Sequence, residues 1–209
     1  MPDSHSLLLF IGAGLLLNIT PGPDLLYILG RSISQGRSAG VVSALGIGVG
    51  CIVHVLAASL GLSAVLLALP HAYDVVRMAG AAYLIILGVK SLRSRQGSLE
   101  VKAFAPVSLR RVFLQGVLTN VLNPKVALFF LAFLPQFADP ARGPLAPQLL
   151  LLGTIFDVNG TLVCVLFALF ASQVGAWIRT RFGVSRLFDR LTGALFVGLG
   201  VRLALLERR

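Results

Sequence analysis

The sequence predicts an all-α, polytopic integral membrane protein: six transmembrane helices in a 3+3 inverted repeat, with helices one and four broken. Three observations carry this expectation. First, 56% of the 209 residues are hydrophobic and 12% are charged, whereas globular chains average about 25% charged. Mean hydropathy is +0.89. A soluble globule of this size could not hide so much apolar side chain, because its surface must be wetted. Second, the charges cluster between long apolar runs. Third, a proline break recurs in the first and fourth runs. The composition excludes a soluble enzyme, a disordered chain and a nucleic-acid-binding domain. The net charge of +10 is spread as it is over membrane loops, so no nucleic-acid partner is expected.

A spanning helix needs about 20 apolar residues, and cutting the chain at its charges gives six runs. The first extends from Ser6 to Leu29, broken only by Asp24. It lacks a basic leader and an A-x-A site, so it reads as a mature helix, not a cleaved signal. The second extends from Gly40 to Leu69, with His54 its one titratable imidazole. The third has an uncharged core from Met78 to Val89, short enough that Arg77 and Lys90 must snorkel to the two surfaces. The fourth, Val112 to Ala138, carries Lys125, and the fifth, Pro147 to Ile178, carries Asp157. The sixth has its core at Leu191 to Val201 and extends to Leu206.

Orientation follows from the basic residues. Arg31 and Arg37, the group from Lys90 to Arg111, and the group from Arg179 to Arg190 place twelve Lys and Arg on one side. The other side has five: Arg77, Arg142, Arg202, Arg208 and Arg209. The positive-inside rule assigns the twelve to the cytoplasm, so both termini are expected outside.

The chain also reads as duplicated. The stretch from Arg77 to Tyr83 (RMAGAAY) resembles that from Arg190 to Phe196 (RLTGALF), and Leu87 to Lys90 (LGVK) resembles Leu199 to Arg202 (LGVR). Asn18 to Pro21 (NITP) resembles Asn120 to Pro124 (NVLNP). Two matches in the same order, three spans apart, predict one transmembrane domain over 1–209. Repeat one covers about 6–92, a cytoplasmic loop 93–111, and repeat two about 112–206. An odd number of spans per half inverts the halves, a plan that recurs in secondary transporters with interrupted helices.

Asp24, Lys125 and Asp157 lie within spans, where each charge costs about 2.5–3.5 kcal/mol at a helix centre. Such residues face a cavity or a partner. Thr20-Pro21 and Asn123-Pro124 both have the form of an N-cap followed by a first-turn proline. Both spans are therefore expected to stop and restart, with free N–H groups at the restarted ends attracting carboxylates. Lys125 adds a positive charge there and Asp24 a negative one, which suits a zwitterion. Gly22, between Pro21 and Pro23, leaves room for a ligand or a hinge. Asn18, Asn120, Asn159 and Asp157 are further candidates for ligand contact, and Asp24 and Asp157 for carrying a proton. Against this stands a structural role: Asp24 capping a helix or pairing with Lys125, the asparagines satisfying backbone freed by proline, and His54 packing quietly. Gly46, Gly48 and Gly50 are expected to permit close helix approach. Cys51 and Cys164 lie in spans two and five, away from the breaks. No metal site and no cofactor is expected.

TPGPD from Thr20 to Asp24, NPK from Asn123 to Lys125, YLIILG from Tyr83 to Gly88 and the Leu199-Gly200 stretch together resemble the LysE/RhtB family of bacterial amino-acid exporters. The third-span motif departs from the family pattern, which often has Trp where this chain has Ile85 or Ile86. The resemblance implies export of an amino acid or a close derivative across a bacterial inner membrane, driven by proton exchange; the lipid bilayer and a second copy of the chain are the expected partners. Two other classes share a six-span plan. A membrane thiol-redox carrier needs a reactive cysteine at each proline break, and a metal-ion exporter needs clustered thiolates or carboxylates.

Overall fold

The computed structural model describes residues 4–20, 22–62, 72–93 and 104–171, and part of 190–205. All regular structure among these residues is helical. Helix α1 spans Ser4–Ile19 and α2 Pro23–Gln35. Helix α3 spans Arg37–Leu56 and runs on through a π-helical turn, Ala57–Leu62. Helix α4 spans Ala72–Arg93 and α5 Leu109–Val121. Helix α6 begins at Pro124–Leu128 and continues as π-helical and 3-10 turns to Phe137. Helix α7 spans Leu145–Leu169.

Two continuous helices, Arg37–Gly61 and Leu145–Leu169, are long and apolar enough to cross a membrane. Two further crossings arise if each bent pair counts as one: α1 with α2, bent by 50°, and α5 with α6, bent by 43°. The third expected span corresponds to α4. The sixth, and the second-span residues beyond Leu62, fall largely outside the described residues.

Both bends have a local cause in proline. A residue before proline is pushed out of the helical region. Gly22, before Pro23, is extended at φ −170° and ψ −177°, and Asn123, before Pro124, at φ −78° and ψ 107°. Each proline then occupies the first helical position, where its missing N–H costs nothing. Asn123 caps α6 as expected, its side-chain oxygen accepting from the Lys125 backbone N–H at 3.0 Å. Thr20 does not cap α2. The restart falls at the second proline of the pair, because Gly22 cannot enter the helix ahead of Pro23. The Thr20 hydroxyl instead donates back to the Leu16 carbonyl at 2.6 Å.

Glycine sets the packing of α3 on α5. A Cβ on Gly46 would collide with the Phe113 carbonyl, and one on Gly50 would lie 2.6 Å from the Val117 carbonyl oxygen. Small residues thus bring the two backbones together. The same contact plan occurs twice. Gly116 and Asn120 of α5 meet Gly46 and Gly50 of α3, while Gly14 and Asn18 of α1 meet Phe156 and Gly160 of α7. In every case the two positions are one helical turn apart. In a similar way Gly88 of α4 abuts the Gly193 carbonyl, and Gly200 abuts the Ala81 carbonyl.

Two apolar clusters flank the breaks. On the side of the α1 N-terminus, Phe10, Phe129, Phe130, Phe133 and Phe156 pack together, with Phe129 stacked on Phe156 at 4.5 Å. On the other side, Tyr27, Ile28, Ala44, Ile47, Cys164 and Ala168 form the second cluster.

Candidate functional site where the two helix breaks meet

A proline at position i+4 leaves the carbonyl of residue i without its helical donor. Pro21 does this to Leu17 and Pro124 to Asn120. Each carbonyl keeps a short-range donor, Thr20 N–H at 3.2 Å for Leu17 and Asn123 N–H for Asn120, and gains a second one from outside its own broken pair. The Lys125 ammonium donates to the Leu17 carbonyl at 3.1 Å and to the Thr20 carbonyl at 2.9 Å. A cation at the C-terminal carbonyls of α1 also opposes the negative end of that helix dipole. The Asn120 carbonyl accepts from the Asn123 N–H at 2.9 Å and from His54 Nε2 at 3.1 Å. A carbonyl can only accept, so the His54 proton sits on Nε2. Its ring packs against Phe130 at 5.8 Å.

The acidic residues are placed differently. Asp24 sits in the first turn of α2, and its Oδ2 accepts from Asn120 Nδ2 at 2.9 Å. The Lys125 ammonium is spent on the two carbonyls, and Asp24 and Lys125 make no direct ion pair. Asp157, on α7, accepts from the Thr161 hydroxyl at 3.4 Å.

A small cavity of about 30 Å³ lies between these groups. Its walls include Asn18, Thr20, Asp24, Asn120, Lys125 and Asp157. Four buried polar atoms at or beside it have no hydrogen-bond partner: Asn18 Nδ2, Asp24 Oδ1, Asn120 Oδ1 and Asn123 Nδ2. Two are donors and two acceptors, and native structures rarely leave such groups unpaired.

Most of the expected site residues therefore converge. Gly22 offers no free space, because a Cβ there would lie 3.1 Å from Lys125 Nζ. Pro23 and Pro124 are exposed first-turn residues outside the cavity wall, and Pro21 lies outside the described residues. Asn159 is two positions past Asp157, turned away from the cavity-lining side of α7. The cysteines correct the expectation. Cys51 and Cys164 both line the cavity, because α3 and α7 pack alongside the breaks, and both are free thiols. No group of three or more His, Cys, Asp or Glu suited to a metal occurs among the described residues.

The reading of Arg31 as a loop residue is also corrected. It lies inside α2 and is 3% exposed. Its Nη1 donates to the Ala105 carbonyl at 3.0 Å and to Gln35 Oε1 at 3.3 Å, and its Nη2 to Gln115 Oε1 at 2.7 Å.

Helices broken at mid-bundle around a small cavity that carries charged and amide side chains, in a chain this apolar, define a membrane protein built like a transporter. The chain belongs to the LysE type translocator family, whose model matches residues 15–207. It is 32% identical to the uncharacterized membrane protein YrhP of Bacillus subtilis, over 96% of this chain and 99% of that protein. It is also 32% identical to the homoserine/homoserine lactone efflux protein of Salmonella typhimurium, over 90% of this chain and 91% of that one. An uncharacterized membrane protein of Vibrio cholerae is 29% identical over 97% of this chain and 98% of its own length. No solved structure matches the chain.

Proposed function

We propose that this protein is a secondary transporter that exports an amino acid or amino-acid derivative from the cytoplasm across a bacterial inner membrane, by proton antiport. The observation that carries the reading is the set of unpartnered buried atoms at the breaks. The Asp24 and Asn120 oxygens suit an ammonium group, and the Asn18 and Asn123 amides suit a carboxylate. Two relatives are named for efflux of homoserine and its lactone, which supports a small polar substrate with an amino group. A cavity of about 30 Å³ is too small for an amino acid, so loading requires the apolar cluster on one side to part. The Asp24–Asn120 bond ties α2 to α5 and is a contact that an ammonium group can replace. The twofold contact plan supports a 3+3 inverted repeat, with alternating access as one half rocks against the other. Asp24 and Asp157 are the proton carriers proposed, with Lys125 holding the α1 end in place.

Export from cells fed dipeptides tests this. Cells making the protein should release one or more amino acids faster than cells lacking it. Asp24→Asn should lose transport of labelled substrate. Asp157→Asn should retain exchange of labelled for unlabelled substrate but lose its response to a pH gradient. Wild-type export by both well-expressed variants would remove the site assignment.

A further inference from the structure

A second cavity, of about 530 Å³, lies between α2 and α5. Its walls include Leu26, Leu118, Thr119 and Leu122, together with Arg31, Phe104 and Gln115. Leu118 is 57% and Leu122 69% exposed. On a membrane helix such side chains face lipid, so the groove opens to the bilayer.

Arg31 closes the end of the groove that is expected to face the cytoplasm. A guanidinium has five N–H donors. Its three hydrogen bonds all go to uncharged oxygens, its Nε is buried without a partner, and its Cζ lies 4.6 Å from the centre of the Phe104 ring. Among the described residues no carboxylate pairs with it. A buried cation with this much donor capacity left is costly unless an anion completes it. Nε and Nη2 share one edge of the guanidinium, the edge that phosphates and carboxylates bridge.

We propose that the α2–α5 groove is a binding site for an anionic phospholipid, with the headgroup phosphate at Arg31 and an acyl chain along Leu26, Leu118 and Leu122. The chemistry at Arg31 is that of any oxyanion. The exposed leucines favour a lipid over a free carboxylate, because a zwitterion gains nothing from a wall open to hydrocarbon. Anionic lipid is available in the cytoplasmic leaflet, and one basic residue near that surface favours it by about fivefold.

The test uses the full chain reconstituted in phosphatidylcholine vesicles containing a trace of spin-labelled phosphatidylglycerol or, separately, spin-labelled phosphatidylcholine. The fraction of immobilised label gives the relative affinity. Wild type should prefer phosphatidylglycerol, and Arg31→Gln should reduce that preference by about fivefold. Arg31 also straps the 104–108 segment to α2, so Leu118→Trp provides an independent variant. It fills the groove without touching the three Arg31 bonds and should reduce the preference likewise. Unchanged preference in Leu118→Trp, or in a folded Arg31→Gln, overturns the proposal. So does loss of the phosphatidylglycerol preference on addition of millimolar free amino acid, which would make the oxyanion a free carboxylate.

Discussion

Replacing Lys125 with Met keeps the length and bulk of the side chain and removes only the ammonium. What is lost is specific: two bonds, at 3.1 and 2.9 Å, to the Leu17 and Thr20 carbonyls. Hydrogen bonds involving a charged group contribute about 1.5–3 kcal/mol each, which sets an upper range of about 3–6 kcal/mol for the pair. The adjacent cavity is large enough to admit water, and a water there can satisfy one carbonyl, which lowers the expected loss to about 2–4 kcal/mol. For a chain of this size each kcal/mol moves the melting temperature by about 2–4 °C, so the variant should melt about 5–15 °C lower. The two buried, free cysteines supply the reporter. A thiol-reactive fluorophore added to the purified protein in detergent labels Cys51 and Cys164 only as the bundle opens. Lys125→Met melting within about 2 °C of wild type would show that Lys125 does not hold the end of α1. Its two carbonyl bonds would then be incidental to the fold.

Other outcomes follow from the same geometry. Gly50→Val drives a branched side chain into the Val117 carbonyl and the Asn120 Cβ, and overpacking of this kind costs about 1–3 kcal/mol or more. The variant should show a clear loss of folded protein in size-exclusion profiles, whereas Gly12→Val, with open space around it, should not. His54→Phe keeps the ring against Phe130 but drops the bond to the Asn120 carbonyl; a loss of about 1 kcal/mol in thermal unfolding is expected. In a background with Cys51 and Cys164 replaced, a cysteine at Ser108 should react with impermeant maleimide only from the cytoplasmic face. One at Arg142 should react only from outside, and the reverse pattern would invert the orientation.

What was legible in the sequence was local chemistry. Pro124 at a first-turn position, Asn123 as its cap, and the small residues Gly46 and Gly50 of α3 act through local geometry, and the structure has all of them, while the first restart falls at Pro23 and not at the expected Pro21. Thr20 was misread because the extended Gly22 ahead of Pro23 outweighs the cap-plus-proline pattern. Arg31 was misread because cutting a chain at its charges assigns every arginine to a loop. Its burial depends on Gln115 and Ala105, which only the packing of α5 and the 104–108 segment brings near. The cysteines failed as a guide for a related reason: which side of α3 and α7 faces the breaks is set by helix packing, not by position along the chain. The partner of Lys125 was equally hidden, since backbone carbonyls leave no mark on a sequence.

The bond between Lys125 and the Thr20 carbonyl joins residues 105 apart, and this imposes an order on assembly. Ribosomes add about 5–20 residues per second, so α1 waits roughly 5–20 s after its own synthesis before the lysine that caps it emerges. During that interval the Leu17 carbonyl has only the Thr20 N–H at 3.2 Å, and the Thr20 carbonyl must be served by water or by the insertion machinery. The N-terminal half is thus held as an unfinished intermediate until the fourth crossing is made. A nascent chain arrested before Lys125 should be the form most open to quality-control proteolysis.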